Sequence, residues 1–231
     1  MRSLRFALAA ASLIATTAFA SPTAPTNGAE YLTLATPQPV NVTGKKVEVI
    51  EFFMYHCPHC NVLEPQLAEW VKKQGDNIAF KRIHLPFPND SGTHLYLTLE
   101  AMGKLEEFHS KVFRAWHVEH QRLISDPAIL DWVVKNGIDK AKFLEFWNSF
   151  GVLTKLKRSG PTAAAYKVDS APTLVVDGRY MTSPTQAGVA TPGKSEAELS
   201  TMTTQVLDAL VAKVMKDSGV KPAAATKAAS K

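Results

Sequence analysis

The stretch Lys46 to Tyr55 (KVEVIEFFMY) constrains this chain more than any other. It is β-branched and aromatic, with Val47, Val49 and Phe53 on alternate positions and Ile50 and Phe52 apolar between them. A strand apolar on both faces has to lie inside a covered sheet, so a central strand in an α/β architecture is expected. The only two cysteines of the chain follow at once, as Cys57-Pro58-His59-Cys60. A cysteine pair where a strand passes into a helix can cycle between dithiol and disulfide. The first of the two would sit at a helix N-terminus, whose unpaired N–H groups favour the reactive thiolate. With no further cysteine, neither an all-cysteine zinc site nor a framework of several disulfides can be built.

The start of the chain bears on how that pair is read. Arg2 and Arg5, the apolar run Phe6 to Ile14 and the triplet Ala18-Phe19-Ala20 have the layout of a cleavable export signal. The run is too short for a spanning helix, which needs about 20 residues. Residues 1–20 are therefore read as a signal peptide, with an exported, soluble chain beginning at Ser21. In an oxidising compartment a cysteine pair is a structural disulfide, a metal site or a working redox centre. A loop with two intervening residues removes little chain entropy, which weighs against a purely structural bridge.

Charge excludes another class. The chain carries 26 basic and 21 acidic residues, but Arg2 and Arg5 leave with the signal and Lys221, Lys227 and Lys231 lie near the C-terminus. The part between is close to neutral and shows no clustered basic stretch, so no nucleic-acid footprint is expected.

Ser21 to Asn27 is rich in Pro and Thr and reads as mobile, and residues 218–231 read as a disordered basic tail. Between them, a helix is expected over Asn61 to Lys73, with Pro65 inside it, and a second strand over Ile78 to Leu85. A long helical stretch then runs from Thr93 to about Ser159, one face traced by Leu95, Leu99, Met102, Leu105, Phe108, Val112 and Trp116. Ser125-Asp126-Pro127 starts a helix, Asn136-Gly137 stops it, and Asp139 can cap the next, whose Phe143, Phe146, Trp147 and Phe150 form an aromatic stripe. That stripe reads as core packing ahead of a ligand groove. Thr173 to Val176 and Arg179-Tyr180 flank the hairpin signal Asp177-Gly178, and Ser195 to Glu198 has the spacing of a capping box before a last amphipathic helix. The order is β-α-β, a helical block, a hairpin and a helix: an α/β core expanded in its middle.

At this point the sequence resembles the DsbA-type thiol–disulfide oxidoreductases of the bacterial periplasm, a thioredoxin-like fold with an inserted helical domain. The resemblance rests on Glu51-Phe52-Phe53 leading into Cys57-Pro58-His59-Cys60, on Pro65, on Ala171-Pro172 before a strand and Asp-Gly turn, and on Tyr31 to Leu34 upstream. It implies a thioredoxin-like domain over 21–217 with a helical insertion over about 90–160. The resemblance implies a monomer that needs no cofactor, acts on newly exported proteins with free cysteines, and is reoxidised by a DsbB-like, quinone-linked membrane oxidase.

Cys57 is then the attacked sulfur and nucleophile, and Cys60 its more buried disulfide partner. His59 can donate a hydrogen bond or positive charge toward the Cys57 thiolate, and Pro58 fixes the first helical turn and removes an N–H. Pro172 is expected to be cis, which in the resembled fold lies beside the cysteines and presents backbone to substrate. Family members often carry Val or Thr where this chain has Ala171. Glu51, in a strand expected to be buried, either exchanges protons with Cys60 or pairs with a base such as Arg82.

Three alternatives stand beside disulfide donation. The same fold can work as a reductase or an isomerase, although Pro-His between the cysteines argues for oxidation and no N-terminal dimerisation module is present. Cys57 and Cys60 could instead hold Cu(I) in a non-catalytic chaperone. No protein metal site is assigned, because His56, Cys57, His59 and Cys60 lie too close together to wrap one ion. A c-type haem would need His where Asn61 stands.

Overall fold

In a computed structural model of the chain, the structure describes residues 21–42, 44–86, 89 and 91–220. The expected signal peptide, and the tail beyond Val220, lie outside the described residues. Five strands form one sheet: β1 (Leu32–Thr33), β2 (Val47–Phe53), β3 (Ile78–His84), β4 (Thr173–Val176) and β5 (Tyr180–Thr182), in the order β1-β5-β4-β2-β3. β2 runs parallel to β3 and antiparallel to β4, so both its edges are paired. All its residues are buried, as a strand apolar on both faces requires.

Alternation along β2 sorts its side chains. Val47 and Val49 pack with Leu63, Leu67 and Trp70 of helix α1 (Pro58–Gln74) and with the last helix, α8 (Glu196–Asp217). Ile50 and Phe52 pack on the opposite face with Leu34, Leu85, Ala163 and Tyr166. Glu51 falls by parity between Val49 and Phe53, on the α1 side. A carboxyl group is thus placed in the core behind the cysteines.

The helical block between β3 and β4 consists of α2 (Ser91–Ala101), α3 (Leu105–His117), α4 (Asp126–Lys135), α5 (Lys140–Trp147) and α6 (Phe150–Ala165). The single face expected from Leu95 to Trp116 is divided between two helices, because the chain turns at Gly103, whose φ is +67°. The aromatic stripe is divided as well. Phe143 and Trp147 are buried, whereas Phe150 opens α6 and is 85% exposed. Asp139 caps α5 as expected, accepting from Lys142 N at 2.8 Å. Phe53, at the end of β2, joins the sheet to the block through edge-on contacts with Tyr55, Tyr96 and His109 at 5.1–5.3 Å.

The hairpin forms where Asp177-Gly178 calls for it, with φ of +53° and +59° at the two turn residues. A side chain in place of Gly178 would collide with the Gln38 carbonyl. A four-residue helix, α7 (Pro184–Ala187), precedes α8, and the expected capping box closes at Ser195 and Glu198. One expectation is corrected. Ser21 to Asn27 is tied down rather than mobile: Thr26 N donates to buried Glu30, and the Asn27 side chain accepts from Thr33. Those bonds reach partners four and six residues downstream, which composition does not reveal. Among the described residues, no helix is long and apolar enough to cross a membrane.

Candidate active site

Cys57 occupies the N-cap position of α1, with extended backbone (φ −80°, ψ 117°), and Pro58 begins the helix. The helix therefore starts inside the Cys-x-x-Cys motif, three residues before the expected Asn61. Proline suits this place because its fixed φ is already helical and its missing N–H would have had no intrahelical partner. No side chain caps the helix. The free N–H groups of the first turn are left for the Cys57 sulfur.

Both cysteines are free thiols. Hydrogen bonding from the Cys60 side chain brings the Cys57 thiol down to about 6, against the opposing effect of burial and with help from the backbone N–H groups of Cys60 and His59 and the charge of His59. Burial pushes the Cys60 thiol up, and its hydrogen bond to Cys57 adds to that. Cys57 is more enclosed than expected, at 6% exposure, and Cys60 is fully buried. Two sulfurs three residues apart thus differ sharply in acidity.

Across from the motif, the Ala171–Pro172 peptide bond is cis, as expected from the sequence. The Cys57 thiol donates to the Ala171 carbonyl at 3.3 Å. Ala171, Pro172 and His59 line a groove of about 440 Å³ whose far wall is built by Gln186, Glu196 and Leu199. His59 was expected to face Cys57. Its charge does act on Cys57, while its Nδ1 lies 2.9 Å from Glu196 Oε1, both side chains being half exposed or more.

Behind the motif the polar groups are buried and interlocked. Arg82 Nε donates to Glu51 Oε2 at 2.8 Å, and its Nη2 donates to Glu64 Oε1 at 2.9 Å. Glu64 Oε2 lies 3.3 Å from His109 Nε2, and His109 Nδ1 is 3.0 Å from the Tyr55 hydroxyl. Burial pushes the Glu51 carboxyl up to about 7 in spite of Arg82, helped by Glu64 and the Cys57 charge. Its Oε1 has no hydrogen-bond partner. Burial opposes ionisation of Glu64, but His109 and Arg82 outweigh it and lower its pKa. Burial also lowers His109, whose Nε2 makes no well-directed hydrogen bond, so Arg82 is the charge that matches Glu64. A larger cavity of about 580 Å³ opens on this side, lined by Glu64, Arg82 and His109. Neither cavity is lined by a cysteine, but the smaller groove includes His59 of the motif and Ala171, whose carbonyl accepts from Cys57, so the chemistry belongs beside the smaller groove.

Two histidines flank the turn into the motif. Tyr55 N donates to His84 Nε2 at 3.1 Å, leaving His84 Nδ1 to donate to Leu85 O at 2.9 Å. Burial pushes His84 down to about 3, so the ring is neutral. His117 Nε2 donates to the Tyr55 carbonyl at 2.8 Å. Sequence reasoning missed Glu64, His84, His109, His117 and Glu196. The only local signal was Glu64, one helical turn beyond Cys60 on α1.

A central strand feeding a dithiol at a helix N-terminus, opposite a proline loop, defines a thioredoxin-fold thiol–disulfide oxidoreductase with an inserted helical block. The model of the DSBA-like thioredoxin domain matches residues 90–191, covering the helical block and the hairpin. Over 204 residues the chain is 40% identical to the thiol:disulfide interchange protein DsbA of Burkholderia cepacia, covering 87% of this chain and 92% of that one. It is 39% identical over 185 residues to the protein of that name from Bordetella pertussis, covering 78% of this chain and 87% of the relative. The crystal structure of Pseudomonas aeruginosa DsbA superposes with a TM-score of 0.73 at 33% identity, covering 83% of this chain and 95% of that one. The chain belongs to the DsbA family.

Proposed function

We propose that this oxidoreductase donates a Cys57–Cys60 disulfide to newly exported proteins in the periplasm, as a monomer, and is reoxidised by a DsbB-like, quinone-linked membrane oxidase. The observation that carries the direction is the contrast between the sulfurs, with Cys57 lowered to about 6 and Cys60 raised. A substrate thiolate attacks Cys57 Sγ, the Cys57–Cys60 bond breaks, and Cys60 takes up a proton. The second substrate thiolate then attacks the substrate sulfur of the mixed disulfide. Cys57 leaves as a thiolate, the substrate is oxidised by two electrons, and the enzyme is left as the dithiol. A stabilised thiolate leaves readily, which favours passing the disulfide outward.

The roles follow the geometry. Cys57 is attacked and Cys60 is its partner. Pro58 sets the helix start, and Ala171-Pro172 offers backbone along the groove for an extended substrate segment. Glu51, partly unpartnered and near neutral-range ionisation, is suited to exchange a proton with Cys60. The test is the dithiol–disulfide equilibrium in glutathione buffers, followed by tryptophan fluorescence. A potential more oxidising than roughly −180 mV is expected, and a value near about −270 mV would overturn donation in favour of a thioredoxin-like reductase.

A further inference from the structure

The motif histidine has a partner 137 positions away in sequence, on the first turn of α8. Its Nδ1 lies 2.9 Å from Glu196 Oε1. A carboxylate can accept there only if Nδ1 carries the hydrogen, which leaves Nε2 as the ring nitrogen outside this contact. The contact bridges the two walls of the 440 Å³ groove, since His59 and Val62 come from α1 and Glu196 and Leu199 from α8.

The far wall is itself held firmly. Glu198 Oε2 accepts from Ser195 N at 2.9 Å and Ser195 Oγ accepts from Glu198 N at 3.3 Å, so the turn carrying Glu196 is fixed at both ends. Lys194, the nearest base along the chain, is engaged by Glu198 at 2.8 Å and does not compete for Glu196. The His59 side chain is 60% exposed, and free of this contact it would be spread over its rotamers.

We propose that Glu196 is the positioning residue for His59, holding the imidazole at the rim of the groove in the orientation from which it supports the Cys57 thiolate. The assignment rests on the dithiol chemistry of Cys57 and Cys60. Glu196 acts through the ring. His59 is among the groups that lower Cys57, and Glu196 is not among the leading ones.

The experiment is a pH titration of thiolate absorbance in the reduced full chain. Glu196→Ala raises the Cys57 midpoint by about 0.2–0.7 pH unit, up to about a fivefold change in the thiolate ratio, the size an exposed pair can transmit. Glu196→Gln, which keeps an acceptor without the charge, falls between, and Glu196→Asp restores part of the effect. In a His59→Ala background Glu196→Ala leaves the midpoint where it is, because the two act as one unit. Val206→Ala, in the buried face of α8 away from the groove, lowers the melting temperature without moving the midpoint, which separates positioning from helix stability.

A midpoint that falls in Glu196→Ala would mean the carboxylate acts against the thiolate by its own field. That result, an unchanged midpoint, or an equal shift in the His59→Ala background would each overturn the assignment. A wild-type protein with no thiolate below about pH 8 would sink the dithiol reading itself. A low-titrating thiolate that Glu196→Ala leaves in place sinks only the role of Glu196.

Discussion

The two sides of the Cys-x-x-Cys helix are built on opposite principles. Toward α8 the polar groups are few and wet: His59 and Glu196 meet at the rim of an open groove. Toward the helical block they are mostly buried and mutually committed, running from Glu51 through Arg82 and Glu64 to His109 and Tyr55. On the first side the groups are exposed and free to change partners. On the second side the hydrogen-bonded groups hold charges near the sulfurs at a fixed distance. Exposed pairs adjust chemistry by tenths of a pH unit, whereas breaking a buried pair endangers the fold.

The largest effects should come from the cysteines, which belong to both sides. Cys57→Ser should abolish substrate oxidation and insulin reduction, and Cys60→Ser should accumulate mixed disulfides, read on non-reducing gels. An active Cys57→Ser protein would refute the assigned nucleophile.

Arg82→Leu breaks the buried side directly, since it leaves Glu51 and Glu64 without their shared cation. A loss of about 3–5 kcal/mol is expected in urea unfolding. A loss below about 1 kcal/mol, the size of an exposed pair, would erase the contrast between the two sides.

Glu51→Gln sharpens the same point through pH. Glu51 in the folded protein titrates near 7 against an ordinary 4.5, so the folded state holds the extra proton between these values. Its contribution to stability is therefore full below pH 4.5 and lost as pH rises through 7. His84 works the other way: with its pKa near 3 against 6.5, its contribution is present above 6.5 and lost as pH falls toward 3. The two slopes oppose each other between pH 4.5 and 6.5. Replacing Glu51 should uncover the His84 slope, making the variant lose stability on acidification across that window by on the order of 2–3 kcal/mol. A variant whose denaturation midpoints stay flat there would remove Glu51 from the balance.

The smallest effect lies on the wet side. His59→Ser should raise the Cys57 midpoint modestly and weaken the protein as an oxidant. An unchanged thiolate titration would take His59 out of the mechanism.

How much of this was legible beforehand depended on the range of the forces involved. The buried strand, the dithiol at its end, the Asp177-Gly178 turn and the Ser195 capping box are local patterns, each decided within a few residues of chain. Glu51 could be placed in the core by period-two alternation, and Arg82 could be named as one of its two fates. The register of β2 on β3 then made that pairing, setting Glu51 directly opposite Arg82. Phe150 failed because a helical period does not mark where one helix stops and the next begins, and the chain breaks just before it.

The sequence by itself determined the class of fold and the pair of sulfurs at the start of a helix, because hydrophobic alternation and a helix N-terminus are properties of contiguous residues. Only the tertiary structure decided what surrounds them. Ala171 reaches Cys57 across 114 positions, and Glu196 reaches His59 across 137. Such neighbours meet because two helices and a loop pack on one sheet, and that packing is a property of the whole core rather than of any stretch within it.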